Sequence, residues 1–312
     1  MIHKKIAALF GCFVLTGTLC AQVGDETSKR KLLALVIGNS NYKSHLEGPS
    51  NDAADMAKAL AAIGFTVTNS PNIANVDRKS MFDQVNNFSQ KIDSQTVAVI
   101  YYSGHGIEDA HKNYLVPTDA IIESYGDIIS KLVPLDYLME RMAAREARTV
   151  IIILDACRNM PTELKYKTLG QKGGLSEIKN LNPGLRVIYA ASPGQVAQAA
   201  PRGQRNSVFT GAILKAMGER KNGGFDDIIN RAAVLTVDTT GRRQIPYSSG
   251  TLGLAWVDSP QVAGNPFSQK QAEDVVQTSR PVKDIPSSMC NVISQQSIVN
   301  GVVTWQKKCI VE

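Results

Sequence analysis

Lys31–Ile37 (KLLALVI) is a continuous apolar run that stops at Gly38-Asn39, as expected for a strand buried on both faces of a sheet. Further runs of this kind follow at Thr96–Tyr102 (TVAVIYY), Thr149–Leu154 (TVIIIL) and Gly184–Ala191, with a shorter strand expected over Phe65–Thr68. Between them the apolar positions change to a helical period. Ala53, Met56, Ala57 and Leu60 follow Ser50-Asn51-Asp52, which offers N-cap chemistry; Met81, Val85, Phe88 and Ile92 share one face of an expected helix over Asn75–Ile92; Leu135, Leu138, Met139 and Met142 mark another. Strands alternating with helices predict an α/β fold: a mostly parallel sheet with helices on both faces. Helices over Ser207–Met217 and Phe225–Val237 and a strand over Gly253–Val257 complete this domain, which spans residues 31–257.

The two ends of the chain read differently. Lys4 and Lys5 precede an apolar stretch, Ile6–Leu19, and then small or polar residues up to Ala21, the layout of a secretory signal over residues 1–21. The stretch is short against the ~20 residues that span a bilayer core, so an uncleaved anchor is the second reading and no stable membrane span is expected. The expected location is therefore periplasmic or secreted. Residues 259–288 are polar and rich in Pro, Ser and Gln, as in a linker. Over residues 289–312, Ser297-Ile298-Val299 and Val302–Trp305 flank Asn300-Gly301, a hairpin signal. Of the 5 cysteines, Cys12 and Cys20 leave with the signal. In an oxidising compartment Cys290 is expected to pair with Cys309 and close the hairpin, leaving Cys157 as a free thiol. The net charge of +6 is spread along the chain without a dense basic run, which argues against a nucleic-acid partner.

In an open α/β sheet the ligand site lies at the carboxyl ends of the strands. Gly38-Asn39, Ser103–Gly106, Asp155–Arg158 and Ser192-Pro193-Gly194 all fall there. His105 and Cys157 end strands expected to be neighbours, and a histidine beside a thiol takes its proton and later returns one to a leaving amine. The glycines flanking His105 are expected to leave its backbone open, and the N–H groups of Gly106 and Cys157 to stabilise an oxyanion.

The motifs LALVIGNSNY (33–42), GPSNDAADMAKAL (48–60), YYSGHG (101–106) and IIILDACR (151–158) resemble those of the caspase-like cysteine peptidases, the group of caspases, metacaspases and related bacterial enzymes. The similarity runs over roughly Lys31–Val257, and His105 precedes Cys157 by about the 50 residues that a caspase signature places between its histidine and cysteine. The resemblance implies a Cys/His dyad at Cys157 and His105, and an oxyanion hole at Gly106 and Cys157. It also implies that YAASPGQ (189–195), with Ser192, borders the substrate backbone, and that NSVFTGAIL (206–214) is the helix that follows.

Two departures bear on specificity. Asp155-Ala156-Cys157-Arg158-Asn159 replaces the caspase Gln-Ala-Cys-Arg-Gly, and Leu46–Asn51 lacks the arginines that bind an aspartate at the cleavage point. An aspartate two residues before the cysteine is similar to metacaspases, whose acidic pocket accepts Arg or Lys. Asp155, with Asp52 as a second carboxylate, is therefore expected to form the substrate-binding pocket, a loop-capping carboxylate being the other reading of Asp155. The segment Asn159–Pro183 is long and carries Lys165, Lys167, Lys172 and Lys179; it reads equally as a processing loop or a solvated basic loop.

The expected function is thus a cysteine endopeptidase acting on protein or peptide substrates after Arg or Lys. It needs no cofactor, and no segment has the spacing of a metal loop. The alternatives are a catalytically silent caspase-like binding module and another cysteine hydrolase on the same fold.

Overall fold

A computed structural model describes residues 30–157, 175–178, 181–193, 195–219, 224–250, 291–299 and 302–310. The chain runs β1 (Lys31–Gly38), α1 (Pro49–Ala62), β2 (Thr66–Val67), α2 (Arg78–Ser89), β3 (Thr96–Asp109) and β4 (Lys112–Leu115). It continues through α3 (Tyr125–Lys131), β5 (Val133–Pro134), α4 (Leu135–Ala143), β6 (Thr149–Cys157), β7 (Leu185–Tyr189), α5 (Val208–Glu219), α6 (Phe225–Thr240) and β8 (Tyr247–Gly250). The strands lie in the order β2-β1-β3-β6-β7-β8. All neighbours on this path are parallel except β7 and β8, and β4 and β5 extend the sheet as antiparallel partners beside β3. The caspase-like α/β architecture is therefore present, with β3 and β6 at its centre.

Strand alternation sends the central residues to two separate cores. Ala98, Ile100 and Tyr102 of β3 and Val150, Ile152 and Leu154 of β6 pack with Met81, Val85 and Phe88 of α2 and with Leu135, Leu138 and Met142 of α4. Val97, Val99, Tyr101, Ile151 and Ile153 point the other way, onto Met56 and Leu60 of α1, Phe209 and Ile213 of α5, and Ile228 and Ala232 of α6. These side chains are almost fully buried, which is why the sequence shows continuous apolar runs where a one-sided sheet would alternate.

Several boundaries move for identifiable reasons. The expected β3 ended at Tyr102, but the strand continues through Ser103–Gly106 to Asp109, because its far half pairs with β6 on one side and β4 on the other. The hairpin to β4 was not foreseen, since its two-residue turn is made by Ala110 and His111, at φ 46° and 66°, where glycine or asparagine is the usual signal. Helix α1 begins with Pro49 at its first position behind Gly48, not with a side-chain cap from Ser50, Asn51 or Asp52. Helix α2 begins three residues later than expected: Asp77 caps it through Ser80 N–H at 2.7 Å, while Asn75, at φ 57°, accepts from the N–H groups of Ser40 and Asn41.

Residues 260–312 form a second unit, whose described part is an antiparallel hairpin of β9 (Asn291–Val299) and β10 (Val302–Ile310), longer than the expected strands. Cys309 pairs in register with Val292. The signal at residues 1–21, the strand over Gly253–Val257, the linker at 259–288, Cys290 and most of Asn159–Pro183 lie outside the described residues. Among the described residues no helix is long and apolar enough to cross a membrane.

Gly38, the last residue of β1, shows how tightly the rim is joined. A Cβ built there would lie 2.2 Å from the Pro49 carbonyl oxygen and 2.5 Å from Ala53 Cβ, so β1 and the first turn of α1 approach only through a missing side chain. Gly38→Ala is expected to cost about 1–3 kcal/mol of stability, the usual range for overpacking. Urea unfolding of the two proteins measures it; an unchanged midpoint would contradict this account of the contact.

Candidate active site

The polar end of the central ladder is built by continuing the apolar rungs. Ser103 pairs in register with Asp155, and two residues further His105 pairs with Cys157 at the end of β6. Parallel neighbours lie about 4.8 Å apart and two residues advance a strand by about 6.6 Å, so the two polar levels are stacked within one side-chain length.

His105 is held through its backbone. Its C=O accepts from Val116 N–H at 3.1 Å and from Tyr102 Oη at 2.7 Å. Its N–H donates to Tyr42 Oη at 3.0 Å, and Tyr42 Oη donates onward to the Val116 carbonyl at 3.0 Å. The Tyr42 ring lies 4.4 Å from the imidazole, centroid to centroid, at 51°. Because both backbone groups of His105 turn toward β4, the N–H of the next residue, Gly106, faces β6 at the level of Cys157.

The flanking glycines have a different role from the expected one. A Cβ on Gly104 would sit 2.7 Å from the hydroxyls of both Tyr42 and Tyr102, and one on Gly106 would sit 3.0 Å from Ala156 Cβ and 3.3 Å from Leu175 Cδ2. Their space is already filled by packing, so they admit the clamp and the core, not open backbone. Leu175 is itself buried, and the adjoining Ser176 exchanges two hydrogen bonds with Asn113 of β4, at 2.7 and 2.8 Å.

One level below the histidine, Asp52 of α1 and Asp155 of β6 are only 1% and 2% exposed. Asp52 accepts from Ser207 N–H at 3.0 Å and Ser103 Oγ at 3.1 Å. Asp155 accepts a short hydrogen bond from Ser207 Oγ and one of 2.6 Å from Thr210 Oγ1. With its proton on Asp155, Thr210 Oγ1 takes the Tyr101 hydroxyl as a donor, at 2.5 Å. Each of these partners is neutral. Burial first, and then the charge of Asp155, push the Asp52 carboxyl up to about 7; burial also raises Asp155, against the hydrogen bonds from Ser207 and Thr210. Both shifts favour the protonated form over that of an exposed carboxyl.

The structure thus brings His105, the backbone of Cys157, Asp155 and Asp52 onto two successive levels of one rim. The hydroxyl of Ser192, after β7, is turned to the Ile245 carbonyl at 2.9 Å instead. Among the described residues no three His, Cys, Asp or Glu side chains are placed to hold a metal ion. Sequence reasoning missed Tyr42, Tyr102, Ser103, Ser207 and Thr210. The last two carried a readable signal: they stand three apart at the start of a helix, and Thr210 N–H donates to Ser207 Oγ at 3.0 Å as in an N-cap.

The raised carboxyl of Asp52 has a consequence for stability. A group whose folded pKa lies above its ordinary value contributes fully below that value, and the contribution is lost as pH rises through the folded one. For Asp52 the loss falls between pH 3.8 and about 7. Asp52→Asn, which cannot ionise, is therefore expected to gain stability relative to the parent between pH 5 and pH 8. Thermal unfolding at both pH values measures it, and an equal difference at the two would show that Asp52 is not the titrating group.

Known proteins resemble the chain over this same region. The sequence pattern of the family described as "Caspase domain" matches residues 31–253. Mucosa-associated lymphoid tissue lymphoma translocation protein 1 of Homo sapiens is 25% identical over 139 residues, and its homolog in Mus musculus is 27% identical over 139. Each alignment covers 44% of this chain and 16% of the relative, so the chain spans only a small part of the length of these curated relatives. Among solved structures, protein GSU0716 of Geobacter sulfurreducens superposes with a TM-score of 0.53 at 19% identity, over 74% of this chain and 98% of that one. The likeness in structure is one of fold; the sequence match covers most of the chain, which therefore belongs to the caspase-domain family.

Proposed function

We propose that this chain is a cysteine endopeptidase in which Cys157 attacks the peptide carbonyl and His105 moves the protons, with cleavage after Arg or Lys. The observation that carries the proposal is the register of the central ladder: His105 opposite Cys157, directly above the level that holds Asp155. His105 accepts the Cys157 proton, and the thiolate adds to the carbonyl carbon. The N–H groups of Gly106 and Cys157, which close the last rung of the β3–β6 ladder, leave that rung to stabilise the oxyanion. Collapse breaks the C–N bond as His105 protonates the leaving amine, and water, deprotonated by His105, hydrolyses the thioester.

The two buried acids support the basic preference. Carboxylates with only neutral hydrogen-bond partners, one of them raised to about 7, are poorly compensated where they stand, and a substrate guanidinium or ammonium favours their ionised form and supplies the missing charge. A charge-assisted hydrogen bond of this kind is worth about 1.5–3 kcal/mol, enough to set selectivity. Ser192 and its neighbours after β7 border the substrate backbone. We further propose that the protein is exported after removal of residues 1–21, and that Cys290 and Cys309 close the terminal hairpin.

Peptides carrying Arg, Lys, Asp or a neutral residue before a reporter group test the reading. Arg and Lys peptides are expected to be cleaved, Cys157→Ala to reduce turnover to background, and His105→Ala to lower kcat by about 100- to 10,000-fold. Asp155→Asn is expected to lower kcat/KM on basic peptides about 10- to 150-fold while leaving alkylation of Cys157 unaffected. Cleavage of none of the peptides would favour a silent binding module, and turnover surviving in Cys157→Ala would remove the nucleophile assignment.

N-terminal sequencing and non-reducing peptide mapping of exported protein are expected to find a start after Ala21 and a Cys290–Cys309 bridge. A free Cys309 in protein isolated under oxidising conditions would overturn the second assignment.

A further inference from the structure

Beside the acid pair, α1 and the segment before α5 meet residue by residue. Asp52 accepts from Ser207 N–H at 3.0 Å. One helical turn on, Asp55 accepts from Arg205 Nε at 2.6 Å and Nη2 at 3.3 Å, and from Asn206 Nδ2 at 3.1 Å. Residues three apart on a helix share a face, so two neighbouring carboxylates of α1 divide three consecutive residues between them. The Arg205 side chain is 55% exposed, whereas that of Asp55 is 20% exposed.

This arrangement sets a half-exposed guanidinium near a buried carboxylate pair whose hydrogen-bond donors are neutral. Arg205 is the chemical equivalent of the side chain that the pair is proposed to receive, and it is tethered within two residues of Ser207, which touches both acids. Asp55 engages it on two nitrogens of its fork, a geometry that an arginine leaves only for a better partner. The electrostatics agree: burial raises the Asp55 carboxyl, but the hydrogen bonds from Arg205 and Asn206 outweigh it and hold the group below its ordinary value. Asp55 raises the Arg205 guanidinium, with a smaller contribution from the charge of Asp52.

We propose that Asp55 is a specificity-determining positioning residue: it sequesters Arg205, so that the Asp52–Asp155 pair remains available to a basic side chain of the substrate. The proposal rests on the reading of that pair as the pocket for Arg or Lys. Without Asp55, Arg205 becomes a tethered competitor, and a short tether gives an effective concentration that an external peptide at micromolar levels does not match. The ion pair therefore acts asymmetrically. Loss of its acid closes the pocket to substrate, while loss of its base adds the Asp55 charge to those that attract substrate.

The test compares the parent, Asp55→Asn, Arg205→Ala and the double variant, all as full chains. KM and kcat are measured on a peptide ending in Arg and on a matched peptide ending in a neutral residue, alongside the rate of Cys157 alkylation by iodoacetamide. Asp55→Asn is expected to raise KM for the Arg peptide about tenfold, with kcat and alkylation changed less than about twofold. Arg205→Ala is expected to lower that KM, and the double variant to return it to within about twofold of the parent. A merely structural ion pair would instead make both single variants impair the enzyme alike and leave the double variant impaired; that result overturns the proposal, as does an unchanged KM in Asp55→Asn. If the parent shows no preference for basic peptides, the pocket reading falls and this inference with it. A preference that persists undiminished in Asp55→Asn removes this inference alone.

Discussion

The pairing of β3 with β6 runs unbroken from Val97 opposite Thr149 to His105 opposite Cys157, and every chemical feature of the site is a consequence of where that ladder stands. Its lower rungs are apolar on both faces and fully covered, so each face by itself forbids a slip. A shift of one residue would exchange Tyr101 with Tyr102 and Ile153 with Leu154 between two differently shaped cores, and would turn Asp155 into the layer of Met81 and Leu138. Burial of one such side chain is worth about 1.5–3 kcal/mol, and the rungs act together. The register that sets His105 level with Cys157 is thus fixed by residues that take no part in the chemistry.

The same ladder accounts for the placement of two acids where water is excluded. Asp155 lies above Ile151 and Ile153 on the face covered by α1 and α5, and Asp52 stands in the first turn of α1. The N-terminal ends of α1 and α5 both meet this spot, and a helix N-terminus presents about half a positive charge and unsatisfied N–H groups. Two half-charges and the hydroxyls of Ser103, Ser207 and Thr210 offset part of the cost of two carboxylates. What remains uncompensated is negative charge, which only a cation would balance.

The parts of this arrangement legible in the sequence are those with a periodic or local signature. The buried strands announced themselves as apolar runs, and the helices as apolar positions three and four apart. The nearness of His105 and Cys157 followed from strands that are neighbours in the sheet. What escaped is what depends on contacts between distant segments. The extension of β3 through Ser103–Gly106 was hidden because glycine and histidine are poor strand formers, and pairing on both sides overrides that preference. Asp52 had the local look of a cap, but its oxygens go to Ser103 and Ser207, residues far away in the chain. Asp55 had no local signature at all, since Arg205 reaches it only after α1 and α5 have packed.

Tyr42 shows most directly how packing and positioning are joined. In an antiparallel ladder, opposite residues of a hydrogen-bonded pair exchange both N–H···O bonds, and such pairs alternate with ones that exchange none. At His105 and Val116 one of the two bonds is made directly, from Val116 N–H to the His105 carbonyl, and the other is relayed through the Tyr42 hydroxyl, which accepts from His105 N–H and donates to the Val116 carbonyl. The inserted hydroxyl satisfies both backbone groups, and Gly104, lacking a Cβ, leaves the room for it. The ring attached to that hydroxyl then lies against the imidazole. A residue that follows β1 thereby completes a hydrogen-bond ladder with its hydroxyl and packs its ring on the imidazole, so that one side chain joins the pairing of β3 to the placing of His105.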